Sequence, residues 1–78
     1  MEKELRVALG KFVSAIRKTK SLAERRYVSL NLEWTQYDTE EEKLTCRVYR
    51  EDAGSGSGST WEKAFEEFEQ RRKEKHLD

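Results

Sequence analysis

Between residues 27 and 37 the apolar side chains fall on every second position. Val28, Leu30, Leu32 and Trp34 share one face; Tyr27, Ser29, Asn31, Glu33 and Thr35 share the other. Successive strand side chains point to opposite faces, so this alternation predicts a half-buried strand. The next run repeats it, with Leu44, Cys46 and Val48 on one face and Lys43, Thr45, Arg47 and Tyr49 on the other. Valine, threonine and tyrosine suit a pleated surface. The acidic residues 38–42 lie between the runs and contain no Asn-Gly pair. A connection of three to five residues is therefore expected rather than a two-residue primed turn. Keeping the apolar faces together requires an even-numbered register, with Trp34 opposite Leu44 and Leu32 opposite Cys46. A slip of one residue would turn one apolar set into water.

Helical periodicity flanks this hairpin. In residues 2–20, Leu5, Leu9, Phe12, Ile16 and Thr19 follow helical spacing, widened by Ala8, Val13 and Ala15. Lys3, Arg6, Lys11, Arg17 and Lys18 lie mainly off that stripe. Glu2 and Glu4 suit the positive end of the helix dipole, and Arg17, Lys18 and Lys20 its negative end. Gly10 costs up to about 1 kcal/mol relative to alanine; it either permits close approach of another backbone or has no structural role. Ser21 followed by Glu24 fits a capping box, which would start a short turn with Leu22 plugging the end of the core.

After Arg50, Glu51 and Asp52 end the second strand, and residues 53–59 read AGSGSGS. That composition predicts a flexible loop. It looks like an engineered linker, with a natural mobile loop as the alternative, and residues 54–59 do not tell the two apart. No Gly-Lys-Ser/Thr ending follows, so a phosphate-binding loop is not expected. Ser59-Thr60-Trp61-Glu62 is a second capping box, and Trp61, Ala64, Phe65 and Phe68 form the stripe behind it. From Gln70 to His76 the chain is polar on every side. Glu67–Arg71 and Glu69–Lys73 have the favourable i, i+4 order. These last turns should fray or lie along something outside the chain.

The expected order is α-β-β-α, a single α+β domain over residues 1–78. Both helices would pack on one face of the antiparallel hairpin, the Val28/Leu30/Leu32/Trp34 face. A lone two-stranded sheet is marginal in water and leaves two open edges. A chain of 78 residues also buries only roughly 60–65% of its unfolded surface. A homodimer is therefore expected, built by strand addition into a four-stranded sheet or by helix packing. The polar face, with Tyr27, Asn31, Arg47 and Tyr49, would stay open to solvent or to a partner protein.

One arrangement has a familiar look. A two-stranded hairpin, a short Gly-containing loop and then Ser/Thr-Trp-Glu-Lys-Ala-Phe-Glu resembles small α-β-β-α proteins of phages and prophages. The Ser59-Thr60 cap and the Trp61/Ala64/Phe65 spacing carry the resemblance; the Gly-Ser repeat departs from it. The resemblance implies a phage or prophage context and no particular chemistry.

Charge narrows the function classes. Sixteen Lys/Arg balance sixteen Asp/Glu. Residues 1–26 are net +5, residues 27–58 net −4 and residues 59–78 net −1. A zero total argues against strong non-specific nucleic-acid binding, which neutralises phosphates. A local basic patch of Arg17, Lys18, Lys20, Arg25 and Arg26 is still possible, with Arg47, Tyr27 and Tyr49 adding stacking. Nucleic acid is the second choice after an unidentified protein partner.

Catalytic chemistry is sparse. His76 is the only histidine and sits in the polar tail. Cys46 is the only cysteine, on the inward face of a strand, so it reads as a small buried hydrophobe. Intrachain disulfides and cysteine-based zinc sites are excluded. Glu40, Glu41 and Glu42 lack the spacing and turn glycine of a calcium loop. No apolar run approaches the roughly 18 residues of a membrane span, and the first residues lack a signal-peptide core. The expectation is a cytoplasmic, non-catalytic binding or structural protein without cofactor or metal.

Overall fold

A computed structural model describes residues 2–23, 26–36 and 41–75, with the side chain of Leu22 also outside the description. The elements are α1 (Glu2–Gly10), α2 (Phe12–Ala23), β1 (Val28–Gln36), β2 (Glu42–Arg50), β3 (Gly54–Gly58) and α3 (Trp61–Glu74). The three strands form one antiparallel sheet in the order β1-β2-β3. The chain is thus α+β, with three strands where the alternation alone predicts two.

The register of the first hairpin is the expected one. Trp34 faces Leu44, Leu32 faces Cys46, and the ladder runs unbroken from Val28↔Arg50 to Gln36↔Glu42. Cys46 and Val48 are fully buried and Leu44 nearly so, while Leu30 and Leu32 are half-buried. Trp34 departs from expectation, being 48% exposed although its side chain belongs to the inward set. Most of the acidic connection, residues 37–40, lies outside the described residues.

The Gly-Ser run is a strand and not a flexible loop. Residues 51–53 make a tight turn in which the Ala53 N–H donates to the Arg50 carbonyl at 3.1 Å. Gly54 follows at φ +86°, a left-handed conformation that glycine adopts without a Cβ penalty. A three-residue connection followed by a left-handed residue is a standard hairpin solution. The new strand then pairs Gly54, Gly56 and Gly58 with Arg50, Val48 and Cys46. Its glycines therefore share the core face, and Ser55 and Ser57 share the outer face with Tyr49 and Arg47.

The glycines are there because α3 lies on them. A Cβ on Gly56 would sit 2.7 Å from Phe68 Cα, and closer still to the Phe68 nitrogen and the Ala64 carbonyl oxygen. A Cβ on Gly58 would sit 2.6 Å from Lys63 Cβ. No side chain fits between this strand and the helix backbone. Trp61, Ala64, Phe65 and Phe68 point from α3 into the core, as the helical spacing predicts. The N-cap is Thr60 rather than Ser59: its hydroxyl oxygen accepts from the Lys63 N–H at 3.2 Å. The helix continues through the polar segment to Glu74 instead of fraying there. Glu67–Arg71 forms at 3.0 Å, whereas Glu69 pairs with Arg72, one residue before the expected Lys73.

The N-terminal helix is divided at Lys11, although Lys11 N–H still donates to Val7 and Ala15 N–H to Lys11 across the division. Gly10 has open space where its Cβ would be, so no backbone approaches it and that explanation fails. The division falls beside a tertiary bond instead. The buried Trp61 indole N–H donates to the Ala8 carbonyl at 2.9 Å, and a side chain entering the carbonyl ladder is a known cause of bends. Phe12 meets the Trp61 ring edge-on at 5.6 Å. Ser21 starts no turn: it lies inside α2, and its hydroxyl donates to the Lys18 carbonyl.

Two glycines should therefore respond in opposite ways to alanine. Gly56→Ala should destabilise by about 2–3 kcal/mol through overpacking, and Gly10→Ala should stabilise by about 0.5–1 kcal/mol. Ser55→Ala and Ser57→Ala should stay within about 0.5 kcal/mol of the parent. Urea denaturation of the four variants checks this; a Gly56→Ala protein as stable as the parent would mean that the strand and helix are not in contact.

Candidate interaction surface

α3 occupies the sheet over β3 and β2, and its side chains fix the orientation of α1 and α2. Lys11 reaches across to Glu62 at 2.8 Å, and the Lys18 ammonium sits 4.5 Å above the Phe65 ring. Lys11, Ser14 and Lys18 thus face α3. Ala8, Ala15 and Thr19, a little further round the helix, are buried against the sheet. Leu9, Val13 and Ile16 come next in the same rotational sense. They are apolar yet exposed, Val13 by 57%. By helical geometry they lie on the side away from α3, which is the β1 side of the molecule.

The strand beneath α2 is β1, at the edge of the sheet. β1 is a terminal strand with nine residues, and only Glu33 among them is charged. It contains no proline, lysine or bulge, the usual devices that keep an edge strand from pairing. Leu30 and Leu32 are only half-covered, and Trp34 is half out in solvent. One rim of the protein therefore combines an unguarded strand edge with two partly covered apolar rows.

The opposite sheet face carries the residues expected to be open. Tyr27, Asn31 and Arg47 are exposed, Tyr49 is half-buried, and the two tyrosine rings meet edge-on at 6.2 Å. Tyr27 also uses its N–H on the Glu51 carboxylate at 3.4 Å. The basic residues do not gather there. Arg17, Lys18 and Lys20 are on α2, on the other side of the sheet from Arg47, and Lys18 is turned toward Phe65. Arg26 is held by Asp52 at 3.3 Å. Arg25 and His76 lie outside the described residues.

Strand alternation places one charged residue in the core that was not singled out above. Arg50 follows Cys46 and Val48 on the inward face and is 1% exposed. Its Nε donates to Asp52 at 2.5 Å, and its guanidinium lies 5.8 Å from the Phe68 ring centre. Burial pushes the Asp52 carboxyl upward, but the hydrogen bond and charge of Arg50, with the charge of Arg26, outweigh this and hold its pKa below 3.8. Glu62 is likewise lowered, by Lys11 first and then by backbone and Thr60 hydrogen bonds. The Cys46 thiol is pushed up from 9.0 by burial and by the Glu62 charge, the opposite of an activated nucleophile.

A groove of about 610 Å³ opens between α1 and the start of α3. Val7, Ala8, Leu44 and Trp61 form its apolar wall, and Lys3, Lys11, Glu42 and Glu62 are among its rim residues. Among the described residues no group of three His, Cys, Asp or Glu could hold a metal ion. Nor, among them, is any helix long and apolar enough to cross a membrane. Comparison with protein-family models, curated proteins and solved structures finds no match to this chain.

The folded-state pKa of Asp52 is depressed, so its contribution is present above the unfolded value and is lost as pH falls through the folded one. Asp52→Asn should lower the melting temperature at pH 7 and flatten the loss of stability below pH 3.8. It removes the carboxylate that accepts from the buried Arg50 guanidinium, and Arg50→Met leaves a partly hydrated carboxylate beside Arg26, so both changes should destabilise the turn between β2 and β3. Thermal melts between pH 2 and pH 7 measure both effects; an Asp52→Asn protein with the parent's melting temperature at pH 7 and the parent's acid profile would show that the Arg50–Asp52 pair does not stabilise the fold.

Proposed function

We propose that this chain is a non-catalytic interaction module that works as a homodimer. The carrying observation is the apolar strip Leu9, Val13 and Ile16, exposed beside the half-covered Leu30, Leu32 and Trp34 on an open strand edge. Contiguous apolar surface of this kind marks association sites. A small core needs the extra burial, since a 78-residue chain gains little surplus from its own packing. Joining two copies extends a three-stranded sheet, so the assembly would not be the four-stranded sheet that a two-stranded protomer implies. The buried, unactivated Cys46 supports a binding role over a catalytic one. The phage or prophage setting implied by the hairpin and Trp61 pattern suits a small structural or binding protein.

A nucleic-acid role is the second reading. The Tyr27–Tyr49 pair and Arg47 on the open face favour it. The division of the basic residues between the two sides of the sheet, and the pairing of Arg26 with Asp52, weigh against it.

Sedimentation equilibrium should show a dimer at micromolar concentration. Val13→Glu places a charge on an exposed site, so it should leave the circular dichroism unchanged and weaken the dimer about tenfold or more. A monomer at high micromolar concentration would remove the reading. Salt-sensitive binding to oligonucleotides by a monomeric protein would favour the second one.

A further inference from the structure

Resting on the homodimer reading, we infer that two copies join β1 to β1 in antiparallel fashion, with Leu32 on the two-fold axis, to make a continuous six-stranded sheet. The backbone carries the first part of the argument. The Glu51 N–H donates to the Tyr27 carbonyl at 3.2 Å, which extends the β1–β2 ladder by one pair. In an antiparallel pair the hydrogen-bonding residues alternate along each strand. Tyr27, Ser29, Asn31, Glu33 and Thr35 therefore turn their N–H and C=O groups toward β2. Val28, Leu30, Leu32, Trp34 and Gln36 turn theirs outward, to the free edge. The first four of these are the residues whose side chains form the apolar face.

Only an even–even pairing between two copies meets both conditions. It sets outward N–H and C=O groups against each other, and it keeps the apolar faces of both sheets on the same side. Among such pairings, the one centred on Leu32 uses all nine residues of β1, from Val28 opposite the second Gln36 to Gln36 opposite the second Val28. On the core side it stacks Leu32 on Leu32 and Leu30 on Trp34. On the other side it sets Asn31 against Glu33 and Ser29 against Thr35. A dyad at residue 33 would oppose two carboxylates, which is unfavourable. A dyad at residue 31 shortens the overlap and leaves Gln36 and its neighbour unpaired.

The helical layer supports the same arrangement. Leu9, Val13 and Ile16 face away from α3 on the β1 side. Edge-to-edge joining brings this strip against its copy above the new central strands. Leu30, Leu32 and Trp34 then lose their exposure to two helices instead of one. A foreign strand of another protein would pair with the edge but would bring no matching apolar helix. The second copy satisfies both surfaces at once.

Single cysteines on the exposed outer positions test the register, since Cys46 is fully buried and stays out of the reaction. Asn31→Cys and Glu33→Cys proteins should each remain uncrosslinked under mild oxidation. Mixed together they should give a disulfide-linked heterodimer, because these two positions face each other across the dyad at Leu32. Amide exchange gives an independent readout. The Leu30, Leu32 and Trp34 N–H groups should lose protection on dilution to monomer, while those of Asn31 and Glu33 keep theirs. Self-linking of Asn31→Cys or of Glu33→Cys overturns the register. A dimer that gives no crosslink and no concentration-dependent protection in β1 overturns strand joining while leaving the homodimer reading intact. A monomer at all concentrations overturns both.

Discussion

The backbone of α3 rests directly on the backbone of β3, and this close contact governs the rest of the fold. At Gly56 and Gly58 the separation leaves no room for even a methyl group. Such proximity costs flexible glycines in a strand, where they lose more entropy than any other residue. In return it presses Phe65 and Phe68 onto Val48 and Cys46 and completes a dry core in a very short chain. It also places α3 over one half of the sheet. The N-terminal helices must then cover the other half, and Trp61 fixes where they can lie by binding the Ala8 carbonyl.

From that placement comes the unequal covering of the sheet. The strands under α3 are sealed, with Cys46 and Val48 fully buried. β1 lies mainly beneath α2, with Leu30 and Leu32 half-covered and Trp34 less so. The apolar stripe of α1 and α2 is wider than the surface it meets, and its outer row stays in solvent. The same asymmetry that completes one side of the core thus creates the apolar rim on the other. Association at that rim follows from packing and needs no special chemistry.

Charge has a narrower role. Among the described residues, Arg6–Glu2, Lys11–Glu62 and Glu67–Arg71 are solvent-accessible pairs and contribute little. Arg50 is the exception, because strand alternation sends its side chain inward at the end of the core. Asp52, two residues on in the turn, meets it there, with Arg26 beside them. A buried charge of this kind is tolerable only when paired, so the turn between β2 and β3 is tied to the chemistry of Arg50 as well as to the conformation of Gly54.

Reading side-chain pattern alone, the alternating strands, their register, the inward stripe of α3 and the α+β class were all legible. In each case apolar side chains report the burial that orders them, and water exclusion acts on single residues without regard to distant parts of the chain. The third strand was not legible, because glycine and serine signal a strand only through what they lack. Their meaning depends on the backbone of the helix that follows them, at Ala64 and Phe68. The same holds for the division at Lys11, which falls beside a bond from Trp61 to a carbonyl 53 residues away, and for Trp34, inward by pattern yet left largely uncovered. The interaction rim belongs to this second group too. Sequence determined which side chains avoid water, and only the tertiary structure decided which of them the chain has enough helix to cover.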